Sequence, residues 1–287
     1  MRACAVAITC AKPHKTKCHS EARRAERIPS PCGELPGSLS RCHGAFPGFG
    51  EASPRGMMSS GEGETPTRYR CLIIDHDDTA VDGTRRVHYP AHLRAMEVLR
   101  PGITPVDLDT WFQKNFDPGI MGFLLDDLAL TPEELAIEHA IWQEFTARET
   151  PHFYPGFLEA LAAYKARGGH VVVVSHSESH IILGHYRGAA NGHGVVPDLV
   201  FGWDLEPHKR KPSPFPVRET IRQLQLEPRD VLVVDDLKPG VDMAKAAGVD
   251  AAAAGWSHNI PSIRDFMKRT CVAYFATIPE FAEFILQ

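Results

Sequence analysis

The stretch that decides the fold is Arg70–Thr79, which reads RCLIIDHDDT. Its first half is a short, uninterrupted apolar run, and the run ends abruptly at Asp75. Apolar runs of this length are typical of strands that are buried on both faces, as in parallel sheets. The sequence therefore predicts a buried parallel strand here, with acidic side chains at its carboxyl end.

Two further runs repeat this pattern downstream. His170–Val174 is mostly valine and ends at Ser175, and Val231–Val234 ends at the acidic pair Asp235 and Asp236. Between the runs, apolar residues recur at three- and four-residue spacing, which predicts amphipathic helices. These helices are expected at Phe157–Ala166, Pro216–Leu226 and Val241–Ala247. The alternation predicts an α/β fold with a Rossmann-like parallel-sheet core, helices on both faces, and one crevice where the strand ends converge.

Composition and pattern divide the chain into three parts. Residues 1–68 are rich in Pro, Gly and Ser and show no sustained period, so we expect a disordered tail or a translation start at Met57 or Met58. Residues 84–151 carry only helical patterns and predict a small all-helical cap domain inserted after the first core strand. The catalytic core is then expected at 69–83 and 152–287. The patterns of the cap are Ala91–Leu99, Val106–Asn115 and Pro132–Arg148.

The N-terminal tail allows two other interpretations. It holds most of the seven cysteines, and residue type alone would allow a zinc site at Cys18, His19, Cys42 and His43. The cysteines lack the close pairs of structural zinc sites, which argues against it. A basic transit peptide is the second interpretation, so organellar targeting stays open. The predicted core and cap keep only Cys71 and Cys271, which suits a reducing cytoplasm.

Composition also argues against two classes of partner, nucleic acids and membranes. Hydrophobic residues make up 43% and charged residues 23% of the chain, as in soluble globular proteins. The net charge of −5 gives no electrostatic footprint for nucleic acid. No apolar window reaches the roughly 18 residues that a membrane-spanning helix needs. We expect no nucleic acid and no membrane as partner, and a monomer or a homodimer.

Reactive side chains stand at the predicted strand ends. Carboxylates from two strands make an oxygen-rich site for a hard divalent cation, in the first place Mg²⁺. A carboxylate can also attack phosphorus to form an aspartyl phosphate. A second carboxylate two residues on can protonate the leaving oxygen and later activate water. A hydroxyl and a lysine ammonium can hold the other phosphate oxygens.

The order and spacing of these residues resemble the haloacid dehalogenase superfamily of phosphohydrolases. The resemblance covers residues 69–287, and the position of the cap is similar to the phosphoglycolate phosphatase and β-phosphoglucomutase branch. The family has a DxDx(T/V) motif, a strand ending in Ser or Thr, a lysine often in a KPxP context, and a strand ending in paired acids. These four motifs are matched by Asp75, Asp77 and Thr79, by Ser175, by Lys211–Pro214, and by Asp235 and Asp236.

The resemblance implies a role for each matched residue. Asp75 would be the nucleophile and a magnesium ligand. Asp77 would be the general acid and base and would ligate magnesium through its backbone carbonyl. Ser175 and Lys211 would bind the phosphoryl group, and Lys211 would also orient Asp75.

The second acidic pair completes the implied metal site. Asp236 would ligate magnesium directly, and Asp235 directly or through water. Three positions depart from the family: Asp78 stands where Gly is usual, Ala80 where a bulky apolar residue is usual, and His176 where Asn is common. We expect Asp78 to face solvent and the backbone amide of His176 to bind phosphate.

Other conspicuous side chains are expected to be structural. Four histidines in or near the motifs are expected at the surface or in supporting positions rather than on a metal: His76, His176, His180 and His208. Four aromatic residues are expected in the core of the cap: Trp111, Phe112, Phe116 and Phe123. Four basic residues are expected to be solvated charges, although each could face an anionic substrate: Arg85, Arg86, Lys114 and Arg148.

The sequence as a whole favours a Mg²⁺-dependent phosphatase that hydrolyses a small phosphorylated metabolite through an aspartyl-phosphate intermediate. Two alternatives remain open. One is a phosphomutase of the β-phosphoglucomutase type, built on the same core. The other is a phosphate-binding or regulatory protein that keeps the fold without turnover.

Overall fold

The structure is a computed structural model, and it describes residues 67–287, with the side chains of 190–193 left undescribed. The N-terminal tail up to residue 66, with its zinc and targeting interpretations, lies outside the described residues. Within them, six strands form one parallel sheet in the order β3-β2-β1-β4-β5-β6. The strands are β1 (Cys71–Ile74), β2 (His170–Val174), β3 (Leu199–Phe201), β4 (Val231–Asp235), β5 (Asp250–Ala254) and β6 (Ala273–Phe275).

The helices include the predicted ones, with boundaries shifted by a few residues. Five lie between β1 and β2: α1 (Tyr89–Leu99), α2 (Leu108–Phe116), α3 (Ile120–Gly122), α4 (Pro132–Arg148) and α5 (Phe157–Ala166). The others follow β2: α6 (Ser179–His193), α7 (Phe215–Leu224), α8 (Lys238–Ala247), α9 (Pro261–Thr270) and α10 (Ile278–Ile285). In the described part of the chain, no helix has both the length and the apolarity needed to cross a membrane.

The side chains of β1 alternate between two apolar layers. Leu72 and Ile74 pack in a cluster with residues of α5, α6 and α10. Cys71 and Ile73 pack in the other cluster, with residues of α7, α8 and α9. Successive side chains of a strand point to opposite faces of its sheet. Both faces of the sheet are therefore covered by helices, which explains why every residue of β1 is apolar.

The helices α1 to α4, which precede α5, form the helical insert, residues 84–151. Its last helix, α4, begins as predicted: Thr131 caps the helix and Glu134 closes a capping box. Arg100, at the end of α1, donates two hydrogen bonds to the carboxylate of Glu134, at 2.5 and 3.0 Å. This pair ties the start of α4 to the end of α1.

Two adjacent linkers join the insert to the sheet. Val81 bridges to Phe153, and the amide of Asp82 donates to the carbonyl of His152 at 3.0 Å. Asp82 also accepts from the amide of His152 at 2.6 Å. The entry and exit of the insert are thus hydrogen-bonded side by side, close to the end of β1.

The aromatic residues of the insert do not all form its own core. Trp111 and Phe123 do, with ring centroids 5.8 Å apart. Phe112 instead joins the apolar cluster on the sheet, and the ring of Phe116 meets that of Phe266 on α9 at 5.0 Å. The prediction that all four belong to the cap core is therefore wrong for Phe112 and Phe116, because α2 packs against the sheet domain.

Candidate active site

The predicted acidic residues converge at the carboxyl ends of β1 and β4. These strands are paired in register, with Ile74 opposite Val234, so the residues that follow them lie side by side. Each of Asp75, Asp235 and Asp236 offers a carboxylate oxygen within 4.8 Å of the others, and all three residues are buried. Among the described residues this is the one group of three or more acids, histidines and cysteines close enough to hold a metal ion.

The carboxylates of this cluster repel one another, and a bound cation would stabilise them. Burial raises the pKa of Asp75, and repulsion from Asp235 and Asp236 raises it further. Burial and the charge of Asp235 raise the pKa of Asp236 as well. Oδ2 of Asp236 is buried and has no hydrogen-bond partner among the described residues. Closely spaced, desolvated oxygens with an unused acceptor fit a hard cation such as Mg²⁺.

Lys211 lies against this cluster. Its Nζ donates to Oδ1 of Asp75 and lies 2.9 Å from Oδ2 of Asp235. Burial alone would lower the pKa of Lys211, but the two carboxylates outweigh it and raise the pKa. The lysine therefore stays charged and holds Asp75 in place. The structure thus brings Lys211 to the residue that the sequence predicts it to orient.

Asp77 is held by hydroxyls from the end of β2. Its Oδ2 accepts from Ser177 Oγ at 2.6 Å and from Ser175 Oγ at 3.3 Å. Its Oδ1 lies 2.8 Å from Nε2 of His88. Burial alone would raise the pKa of Asp77, but His88 and Ser177 outweigh it and lower the pKa. Asp77 is thus kept as a hydrogen-bonded carboxylate at the start of the insert.

His88 connects Asp77 to the insert. Nδ1 of His88 lies 2.9 Å from Nε1 of Trp142, on α4, and the two rings stack with an angle of 8°. An indole N–H can only donate, so Nδ1 must accept and carry no proton. Burial lowers the pKa of His88, but Asp77 raises it by more. Asp77 favours the charged imidazolium, whereas the hydrogen bond from Trp142 needs an unprotonated Nδ1. The neutral tautomer with its proton on Nε2 satisfies both hydrogen bonds.

Asp78 does not face solvent, and that prediction is wrong. The residue is only 4% exposed, and its backbone takes the left-handed conformation, with φ of 63°. This turn folds the side chain back toward the amide of Thr84, 3.4 Å away. Burial, then the charge of Asp236, raises the pKa of Asp78 to about 7. The left-handed turn explains why glycine suits this position, since only small or short polar residues adopt it readily.

The histidines of the motifs have different environments. His76 is fully buried, so it is not a surface residue, and its Nε2 lies 2.9 Å from Nδ1 of His185. His176 lies 2.9 Å, through Nε2, from the carbonyl oxygen of Lys211, and burial lowers its pKa to about 4. The side chains of His180 and His208 are 76% exposed. The structure thus gives His176 a place beside the site and keeps His180 and His208 at the surface.

Sequence reasoning missed four side chains at the site: Ser177, His88, Trp142 and His258. Nε2 of His258 approaches Oδ2 of Asp236 at 3.3 Å, although neither atom has a hydrogen-bond partner among the described residues. Burial lowers the pKa of His258. For Ser177 a signal was available, because two hydroxyls two residues apart follow β2. His88, Trp142 and His258 stand in segments that carry no local motif.

A cavity of about 280 Å³ lies between the acidic cluster and the insert. The catalytic candidates form one wall, and the insert contributes the opposite wall, which includes Trp111, Leu124 and Trp142. None of the four candidate basic residues lines it. Arg86 pairs with Asp82 at 2.5 Å, and Lys114 pairs with Asp127 at 2.7 Å.

Comparisons with known proteins agree with this geometry. The model of a hydrolase family, described as haloacid dehalogenase-like hydrolase, matches residues 69–248. A protein of Nitrosospira multiformis named phosphoglycolate phosphatase is 24% identical over 225 residues, covering 77% of this chain and 97% of its own. One of the same name from Vibrio vulnificus is 24% identical over 204 residues, covering 68% and 87%.

Solved structures show the same fold at low identity. A putative haloacid dehalogenase-like hydrolase from Bacteroides fragilis has a TM-score of 0.62 at 19% identity, covering 74% of this chain and 99% of its own. CbbY from Rhodobacter sphaeroides, solved with xylulose-(1,5)bisphosphate, has a TM-score of 0.55 at 18% identity, covering 74% and 96%. At such identity the likeness speaks for the fold alone.

Proposed function

Because the chain belongs to the haloacid dehalogenase-like hydrolase family, we propose that it is a Mg²⁺-dependent phosphatase that works through an aspartyl phosphate on Asp75. The observation that supports this most is the position of Asp75. It is buried, in contact with Lys211, and clustered with two acids of the neighbouring strand. A role in binding alone would not require this combination.

The candidate metal site consists of the carboxylates of Asp75, Asp235 and Asp236, with the backbone carbonyl of Asp77. A bound Mg²⁺ would neutralise the cluster and polarise the phosphoryl oxygens. Lys211 and the hydroxyl of Ser175 would bind the non-transferred oxygens. Phosphoryl transfer depends mainly on positioning and electrostatic stabilisation, and these groups supply both.

The first chemical step forms the aspartyl phosphate. An oxygen of Asp75 attacks phosphorus in line with the leaving oxygen, and the phosphorus–oxygen ester bond breaks. Asp77 is ionised in the free protein, so in this proposal it takes up a proton when the substrate binds and then gives that proton to the leaving alcohol. The hydrogen bonds from Ser177 and His88 fix the direction in which the Asp77 carboxyl points.

The second step returns the enzyme to its starting state. Asp77, now ionised, takes a proton from water, and the hydroxide attacks phosphorus to release inorganic phosphate and free Asp75. We propose that the helical insert acts as a cap that excludes bulk water in the first step and admits water for the second. The paired linkers near Val81 and Phe153 support this division of the chain into core and cap.

A small phosphorylated metabolite is the proposed substrate class, and the free thiols of Cys71 and Cys271 support a cytoplasmic location. The test is release of inorganic phosphate from a generic aryl phosphate, with Mg²⁺ and then with a chelator. The proposal predicts activity that disappears with the chelator and in Asp75→Asn. Transfer of phosphate to an acceptor without net release would identify a phosphomutase, and phosphate binding without either reaction would identify a regulatory protein.

A further inference from the structure

The wall of the cavity that faces the acidic cluster is large and apolar. It is formed by aromatic and aliphatic side chains of the insert, chiefly Trp111, Leu124, Leu135 and Trp142, and Trp203 of the core adds to the apolar lining beside His176. Ligand sites of this composition bind apolar or aromatic groups and use few polar contacts for orientation. An engineered cavity of about 150 Å³ is enough for benzene. The volume here, about 280 Å³, accommodates a phosphate together with one ring.

The cavity offers no free ammonium or guanidinium group for a second anion. Among the described residues that line it, Lys211 is the one lysine or arginine. Its Nζ already contacts Asp75 and Asp235. The transferred phosphate would use its remaining hydrogen-bonding capacity. A substrate with a carboxylate at its far end would therefore bury that charge without a cationic partner, which is costly.

The histidines of the cavity do not supply the missing charge. Nε2 of His88 faces Asp77, and burial lowers the pKa of His176 to about 4. The ring of His139 stacks on Trp142, and its Nε2 lies 3.7 Å from Glu178. Each imidazole is therefore engaged by a neighbour or held neutral.

Glu138 adds a negative group on the insert side. It lies on α4 and lines the cavity, and among the described residues it has no hydrogen bond or ion pair. Burial raises its pKa, and the nearby His88 opposes this only in part. A carboxylate leaving group would meet repulsion here, whereas a hydroxyl could donate a hydrogen bond to Glu138.

Resting on the proposed phosphatase function, we propose that the substrate is a phosphomonoester whose leaving group carries no negative charge, is mainly apolar and is about one ring in size. The same features make 2-phosphoglycolate, with a carboxylate next to the phosphate ester, a poor substrate. The distinction follows from the lining of the cavity, because the catalytic residues bind any phosphoryl group.

The experiment compares three phosphomonoesters with Mg²⁺: benzyl phosphate, phosphoethanolamine and 2-phosphoglycolate. We expect kcat/KM for benzyl phosphate to exceed that for 2-phosphoglycolate by about tenfold or more, since the carboxylate would be buried near Glu138 without a cationic partner. Phosphoethanolamine, whose ammonium can pair with Glu138, should lie between the two. A preference for 2-phosphoglycolate or for phosphoethanolamine would overturn the inference while leaving the phosphatase function intact.

A binding measurement distinguishes a failure of the specificity inference from a failure of the proposed phosphatase function. If none of the three esters is hydrolysed, the proposed function fails, and the Kd values of the Asp75→Asn protein decide the specificity on their own. Tighter binding of benzyl phosphate supports the inference, and equal or tighter binding of 2-phosphoglycolate overturns it.

Two substitutions in the insert test whether the lining of the cavity causes this substrate preference. Leu135→Lys should raise kcat/KM for 2-phosphoglycolate relative to benzyl phosphate by about tenfold, and Glu138→Gln should change the ratio in the same direction. Glu144→Gln, an exposed position on the same helix, is the matched control and should leave the ratio unchanged. An unchanged ratio in both cavity variants would contradict the assignment.

Discussion

Nε2 of His88 lies 2.8 Å from Oδ1 of Asp77, so a residue at the start of the helical insert directly contacts the proposed acid and base. Trp142, on the last helix of the insert, donates to the opposite nitrogen of the same imidazole at 2.9 Å. Two hydrogen bonds in series therefore connect the insert to Asp77. The orientation of the Asp77 carboxyl depends on where α4 lies.

Replacing His88 should impair the chemical step more than substrate binding. We expect His88→Ala to lower kcat by up to about 100-fold with a smaller change in KM, because a misplaced catalytic group costs about that much. His88→Gln keeps an N–H that can donate to Asp77 and should recover part of the loss. Steady-state kinetics on an aryl phosphate measure both, with exposed His208→Gln as control. Unchanged kcat in His88→Ala would exclude this positioning role.

Lys211 should stabilise the metal-free fold. Its removal leaves the buried carboxylates of Asp75 and Asp235 without their cation, so Lys211→Met should cost about 3–5 kcal/mol in the free energy of unfolding. Urea denaturation without metal measures this. The double variant Lys211→Met with Asp75→Asn should lose less than the sum of the two single variants. Simple additivity would show that the contact carries no coupling energy.

Mg²⁺ should stabilise the protein through Asp236. At a concentration about 100 times the Kd, a ligand that binds only the folded state adds about 2.7 kcal/mol. Because the pKa of Asp236 is raised on folding, its charge is unfavourable in the metal-free protein at pH 7. Asp236→Asn should therefore be more stable than the wild type without metal and gain little from Mg²⁺. Thermal unfolding with and without Mg²⁺ tests this, with exposed Asp265→Asn as control.

A result of the opposite sign for Asp236→Asn would contradict this prediction. A metal-free variant less stable than the wild type, with the full gain from Mg²⁺ retained, would place the cation elsewhere.

His92 should make the insert sensitive to acid. It is buried beside Trp111, with ring centroids 4.3 Å apart, and burial lowers its pKa to about 4. In the unfolded chain it titrates near 6.5, so between these values the unfolded state binds the extra proton. Stability is therefore lost as pH falls below about 6.5, by about 2 kcal/mol at pH 5.

The variant His92→Phe isolates this contribution. It should unfold with a weaker dependence on pH between 7 and 5 than the wild type, as measured by urea denaturation at several pH values. Exposed His208→Phe should keep the dependence of the wild type. A dependence unchanged in His92→Phe would mean that His92 titrates normally in the folded protein.

The catalytic core was predictable because its strands are buried on both faces and end in reactive residues. Valine-rich β2 and β4 stand out in the sequence, and the register of β1 with its neighbours places their ends together. β5 was missed since its run, Asp250–Ala254, is mostly alanine, which has low strand propensity. β3 and β6 are three residues long, too short for a periodic signal.

The surroundings of the core motifs were less predictable. Asp78 looks like a solvated charge in the sequence, and only its left-handed backbone shows that it turns inward. His88 and His258 reach the site from segments with no local motif, because their contacts depend on how the insert and the loop after β5 pack. The composition of the cavity wall likewise emerges only when helices of the insert come together over the strand ends.

Trapping the phosphorylated enzyme tests whether Asp75 is the nucleophile. The protein is mixed with a radiolabelled phosphomonoester and Mg²⁺, quenched in acid within the first turnover, and digested to locate the label. An aspartyl phosphate on Asp75 predicts label on the peptide that contains Asp75, lost in Asp75→Asn and longer-lived in Asp77→Asn. Phosphate release without any labelled peptide, or label that persists in Asp75→Asn, would contradict it.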